Sequence, residues 1–111
     1  MTTIYKVLPR TAWQAAQTAG VFHGSPVGFI HFSTAEQLAE TLCKHFAGMP
    51  DLVLLYVDTK AITPESAWRW EPSRAGALFP HLYAALPASA VQRAHPLGLN
   101  ESGEHALPDG L

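Results

Sequence analysis

Gly28-Phe29-Ile30-His31-Phe32-Ser33-Thr34 is the stretch whose reading decides the fold. Its bulky and β-branched residues predict a buried strand over 27–32. Ser33-Thr34-Ala35-Glu36 follows as a capping box, with Ser33 as N-cap and Glu36 three residues on. The chain therefore runs from a strand straight into a helix, and a helix start offers free backbone N–H groups to an anion. His31 is the ionisable side chain within this apolar run, which makes it the candidate functional centre. A hydrogen-bonded histidine that only fills a half-buried position is the competing reading, and Ser33 is a cap before it is a catalyst.

On the C-terminal side, Ala35, Leu38, Ala39, Leu42, Cys43 and Phe46 recur at helical spacing and predict a helix over 34–47 with one apolar stripe. Cys43 falls on that stripe and reads as a small core residue. Glu36, Glu40 and Lys44 take the other side. Leu52 to Asp58 is nearly unbroken apolar sequence and predicts a central strand covered on both faces. Trp68 and Trp70 alternate with Arg69 and Glu71, which predicts a half-buried strand over 67–71. A turn and strand are expected within 78–87 and an edge-like strand over 90–97. On the N-terminal side, Ile4 to Leu8 predicts a strand ended by Pro9. Thr11 then reads as the cap of a short helix carrying Ala12, Trp13 and Ala16, closed by Gly20. Residues 21–26 read as a loop. Helices cluster in the first half, which favours an α+β domain over a regular β-α-β array.

At 111 residues the chain is one domain, with residues 1–97 as its body and 98–111 as a poorly ordered tail rich in turn-forming residues. Seven Lys and Arg against nine Asp and Glu give a formal charge of −2, which argues against a broad nucleic-acid-binding surface but leaves room for a local basic pocket. With one cysteine, no disulfide can form within the chain. The first residues lack a signal-peptide pattern, and no apolar run approaches the ~20 residues of a membrane span. A cytoplasmic protein with no membrane partner is the expectation. The oligomeric state is open.

Three polar groups interrupt the apolar strands: Tyr5-Lys6; His31 with Ser33; and Arg69, Glu71 and Arg74, followed by His81 and Tyr83. Glu71 and Arg74 can pair with each other or hold a polar ligand. His81 can orient a substrate or pin its loop. Tyr83 and the tryptophans read as core or rim. The six histidines show no metal-ligand spacing, no glycine-rich phosphate loop is present, and no Gly-x-Ser-x-Gly elbow surrounds Ser33.

Ile4-Tyr5-Lys6, Trp13, Gly20-Val21-Phe22, Gly28 to Thr34, Trp70-Glu71-Pro72 and Phe79-Pro80-His81-Leu82-Tyr83 together resemble the bacterial domain-of-unknown-function family 952, over roughly residues 4–95. That family in turn resembles a compact ADP-ribosyltransferase fold, nearest to the RNA 2′-phosphotransferases. Ile30-His31-Phe32-Ser33 matches the second strand motif of those enzymes and Leu54-Leu55-Tyr56-Val57-Asp58 the third. The first motif matches at Tyr5, with Lys6 standing in its histidine position, and the loop 25–28 is short for the family. The resemblance implies a mixed sheet with two helices in the N-terminal half and an enzyme of ADP-ribosyl or phosphoryl transfer. The substrate would be NAD, another nucleotide or an RNA end, and no metal is implied. His31, Glu71 and His81 would be catalytic; Tyr5, Lys6, Ser33, Thr34, Arg74 and Tyr83 would bind substrate. Two alternatives stand beside it. One is a nucleotide- or metabolite-binding domain that has lost the chemistry, which Lys6 favours. The other is a partner-binding domain using Trp68, Trp70 and Phe79 as anchors.

Overall fold

A computed structural model describes residues 3–23, 28–62, 67–73 and 76–111. The element order is β1 (Thr3–Pro9), α1 (Arg10–Ala19), β2 (Val21–Phe22), β3 (Ile30–His31), α2 (Leu38–His45), β4 (Leu52–Asp58), β5 (Trp68–Pro72), β6 (Leu78–Leu82), β7 (Leu86–Pro87) and β8 (Val91–Leu97). Among the described residues the strands form three small antiparallel sheets, β1-β4-β8, β3-β6-β5 and the pair β2-β7, not the single mixed sheet expected. The chain is an α+β domain with both α-helices in its N-terminal half.

Strand β4 sits between β1 and β8, so both faces of its Leu-Val-Leu-Leu-Tyr-Val run must be covered. Val53, Leu55 and Val57 join Ile4, Leu8, Trp13, Ile30 and Phe32 in one core. Leu52 and Leu54 join Tyr5, Val7, Leu38 and Leu42 in a second core. Trp13 of α1 belongs to the first core, and Leu38 and Leu42 of α2 to the second. Burial of each such leucine contributes roughly 1.5–3 kcal/mol, which makes β4 the strand the domain cannot lose.

Strand β1 turns into α1 with no intervening loop. Thr11 does not cap the helix: Pro9 holds the N-cap position without a side-chain bond, and the Arg10 amide donates to the Asp51 carbonyl (2.9 Å). The Arg10 guanidinium also grips both Asp51 carboxylate oxygens at 2.8 Å. The turn before β4 thus does the work expected of Thr11. At the other end Gly20 adopts φ +83° and donates its N–H to the Ala16 carbonyl, a left-handed closure that glycine alone adopts without strain. Val21 and Phe22, read as loop, pair with Pro87 and Leu86.

The decisive stretch also departs from its reading. Ser33 is not the cap, because its backbone is claimed by β1: Ser33 N–H donates to the Tyr5 carbonyl and Tyr5 N–H to the Ser33 carbonyl, both 2.8 Å. Extension therefore continues one residue further, and Thr34 becomes the N-cap of a single 3-10 turn (Ala35–Gln37). Its N–H donates to Gln37 Oε1 at 3.0 Å, so Gln37 takes the role expected of Glu36. The regular helix is correspondingly short, Leu38–His45.

Cys43 is exposed rather than in the core. Thr41 is buried instead, drawn in by a 2.9 Å hydrogen bond between its Oγ1 and Ser33 Oγ. Leu38, Thr41 and Leu42 face inward. Trp68 is half-buried, with its Nε1–H donated to the Thr59 carbonyl (3.0 Å). Trp70, two residues on, is 46% exposed, because the sheet outruns the core. Phe79 is buried, so it cannot join the two tryptophans as a surface anchor. Beyond β8, the His105 Nε2–H donates to the Met49 carbonyl at 2.8 Å, and Leu107 packs on the second core. No helix among the described residues is long and apolar enough to cross a membrane.

Candidate functional site

The Tyr5–Ser33 bridge joins β1 to the β3-β6-β5 sheet at a single point. Phe32 N–H then turns to the Pro80 carbonyl (3.0 Å), away from β1. Past the bridge the two strands separate, and a cavity of about 570 Å³ lies between them. One wall is Tyr5 to Pro9; the other includes Phe29, Ile30, His31 and Ser33. That volume suits a small organic ligand, as does the mixture of apolar and polar walls.

A chain of hydrogen bonds leads to this cavity across β5, β6 and β3. Register sets it up: His31 pairs with His81, His81 with Arg69, and Glu71 with Phe79. Residues of one parity on adjacent antiparallel strands share a face, so Arg69, Glu71, Phe79, His81 and His31 gather there. Tyr83 donates its hydroxyl to Glu71 Oε1 at 2.6 Å. His81 Nδ1 lies 2.8 Å from the same oxygen. His81 Nε2 lies 3.1 Å from His31 Nδ1. Phe29 stacks on His81 with centroids 4.2 Å apart, and Phe79 flanks the His31 ring at 5.1 Å.

The proton positions follow from the carboxylate. The Tyr83 hydroxyl, His81 and nearby Arg69 together hold the Glu71 carboxyl below its usual range, so it is ionised and only accepts. His81 must then donate from Nδ1. In its neutral form its Nε2 accepts, and the donor there is His31 Nδ1–H. This tautomer leaves the lone pair of His31 on Nε2. At the outer end of the chain the Arg69 guanidinium lies 4.7 Å from the Tyr83 ring centre.

Lys6 occupies a different wall. It lies in the row Ile4–Lys6–Leu8, whose other members are buried core residues, and it is half-buried itself. It makes no hydrogen bond or ion pair among the described residues. Burial without a counter-ion pushes its ammonium down to about 8. Burial raises the Tyr5 phenol instead, with Tyr56 and Glu36 adding to it, so Tyr5 keeps its proton.

Of the candidate residues, the structure brings His31, Glu71, His81 and Tyr83 into one connected chain and places Tyr5, Lys6, Ser33 and His31 on the cavity. Thr34 is committed to capping. Two amides at the entry to the helix are engaged: Ser33 N–H with the Tyr5 carbonyl and Thr34 N–H with Gln37 Oε1. Arg74, and with it the expected Glu71–Arg74 pair, lies outside the described residues. Phe29, Thr41 and His45 were not read from the sequence as site residues, yet all three line the cavity. Phe29 could have been found by parity, since it shares the alternate positions of His31 in the decisive stretch.

A family model described as protein of unknown function (DUF952) matches residues 7–94. The X-ray structure of protein CC0527 from Caulobacter crescentus is 45% identical, superposes with a TM-score of 0.86, and covers 96% of this chain and 95% of that one. Its solution NMR structure gives 47% identity, a TM-score of 0.81 and coverage of 94% and 91%. None of the curated proteins matches. By the extent of the family match and its identity to CC0527, the chain belongs to the DUF952 family.

Proposed function

We propose that the cavity between β1 and β3 is the substrate site of a compact ADP-ribosyltransferase-like enzyme, which acts on a ligand carrying ribose and phosphate. The observation that carries the reading is the chain Tyr83–Glu71–His81–His31, which ends on the cavity wall. A histidine pair tied to an ionised carboxylate is a means of moving a proton. His31 would take the proton of an attacking hydroxyl, or give one to a departing group. His81 would orient it, and Glu71 would stabilise the charge that develops. Lys6, largely protonated at pH 7, would face phosphate, and Ser33 and Tyr5 would hydrogen-bond sugar hydroxyls.

These donors, beside the apolar Phe29 and Ile30, would suit the ribose and phosphate groups of NAD. When bound, NAD would supply a glycosidic bond whose cleavage transfers an ADP-ribosyl group. The test is calorimetric titration with NAD, ADP-ribose and a 2′-phosphorylated oligoribonucleotide, followed by chromatographic turnover assays with any that binds. His31→Gln should keep its fold and its binding and lose on the order of 10²–10⁴-fold in turnover. Failure of all three ligands to bind defeats the proposal. Lys6 in place of the first-motif histidine favours a second reading, a binding domain without chemistry; binding by the wild type with no turnover would select it.

A further inference from the structure

We propose that Lys6 is a nucleophile that captures a small aldehyde, such as the open-chain form of a reducing sugar, as an imine within the β1–β3 cavity. This goes beyond the nucleotide reading and does not depend on it.

Three observations converge. Lys6 lines the cavity between Tyr5 and Val7. No carboxylate among the described residues pairs with it, whereas Lys44 lies 3.5 Å from Glu40. The walls beside it, Val7, Leu8 and Ile30, are apolar and disfavour an ammonium over a neutral amine. An amine lacking a counter-ion in an apolar setting is how a lysine becomes nucleophilic near neutral pH. Burial brings the ammonium to about 8, so an appreciable neutral fraction exists at pH 7.

The chemistry balances within the site. The Lys6 Nζ lone pair forms the C–N bond while the carbonyl π pair moves to oxygen. Oxygen gains a proton and nitrogen loses one, giving a carbinolamine. Its hydroxyl then takes a proton from His31 and leaves as water with the C–O pair, as the nitrogen lone pair forms C=N. The iminium N–H returns a proton to His31. The net change is loss of one water. His31 lines the same cavity, and the Glu71–His81 chain holds its ring through Nδ1. Tyr5 and His45 are the other titratable groups lining the cavity.

The test treats intact wild-type protein with glycolaldehyde, and separately with ribose 5-phosphate, in sodium cyanoborohydride at pH 7. Peptide mass spectrometry then compares Lys6 with Lys44 and Lys60 in the same molecules. An ordinary lysine near 10.4 is neutral about two hundred times less often at this pH than one near 8. Lys6 should be alkylated faster than the other two by on the order of tenfold or more, and urea should abolish the preference. His31→Gln, checked for fold by circular dichroism, should slow the Lys6 adduct several-fold. Equal labelling of the three lysines in folded protein overturns the proposal. Preferential labelling unaffected by His31→Gln overturns the proton route through His31.

Discussion

Lys6→Met should stabilise this protein at neutral pH. Lys6 sits in a strand row whose other members, Ile4 and Leu8, are 0% and 3% exposed, and no carboxylate among the described residues offsets its charge. Its ammonium falls from 10.5 to about 8. At ~1.4 kcal/mol for each pH unit, holding that charge costs the folded state roughly 3 kcal/mol, a ceiling because the side chain is only half-buried. Methionine keeps the length and the apolar stem and removes the charge. The sign follows from proton counts. Below pH 8 Lys6 is charged in both states and the cost is complete. Between about 8 and 10.5 the folded protein has released a proton that the unfolded chain still binds, so wild-type stability rises with pH. Above that range the cost is gone. Urea unfolding of both proteins from pH 6 to 10.5 should show the variant ahead by about 2–3 kcal/mol up to pH 8, and the lead should then shrink. No lead at pH 7, or a lead that is flat through pH 10, refutes the argument.

Tyr83→Phe removes the first cause of the low Glu71 carboxyl and should move it up toward its ordinary value, read by carbon-detected NMR titration. Because that pKa is depressed, the stability Glu71 adds is present at neutral pH and lost as pH falls, so the variant should lose less on acidification; an unchanged Glu71 titration removes Tyr83 from the chain. Leu55→Ala, at a fully buried position of β4, should cost about 2–5 kcal/mol in urea unfolding. Gly20→Ala should cost roughly 1 kcal/mol through backbone strain alone, since an added Cβ meets nothing within 4 Å.

The sequence made the central elements legible where one local signal dominated. Leu52 to Asp58 is a covered strand to the residue, because an unbroken apolar run of that length has few other uses. Gly20 closes α1 because a left-handed residue there is a local requirement. The readings that failed share a cause: a distant strand claimed the residue. Ser33 reads as a cap within its own segment, but Tyr5, 28 positions away, takes its backbone into a bridge. Cys43 fits the helical stripe, yet Leu38, Thr41 and Leu42 take the inward face, with Thr41 Oγ1 bonded to Ser33 Oγ. Trp70 alternates correctly, but no periodicity tells where the core beneath a sheet ends.

The candidate site divides along the same line. Residue types and strand parity, both properties of the sequence, mark out His31, Glu71, His81 and Tyr83 as polar groups within apolar strands. Their connection depends on two registers, β3 on β6 and β5 on β6, and a shift of one residue would turn each side chain to the opposite face. The cavity is likewise a tertiary fact: it lies where β1 and the stretch 29–33 meet at the Tyr5–Ser33 bridge and then part. Local sequence fixed which residues can form strands and helices, since propensity and periodicity act over a few positions. Only the packed chain decided which histidine nitrogen faces which carboxylate and that Lys6 lines a cavity with no counter-ion among the described residues, because those contacts join residues tens of positions apart.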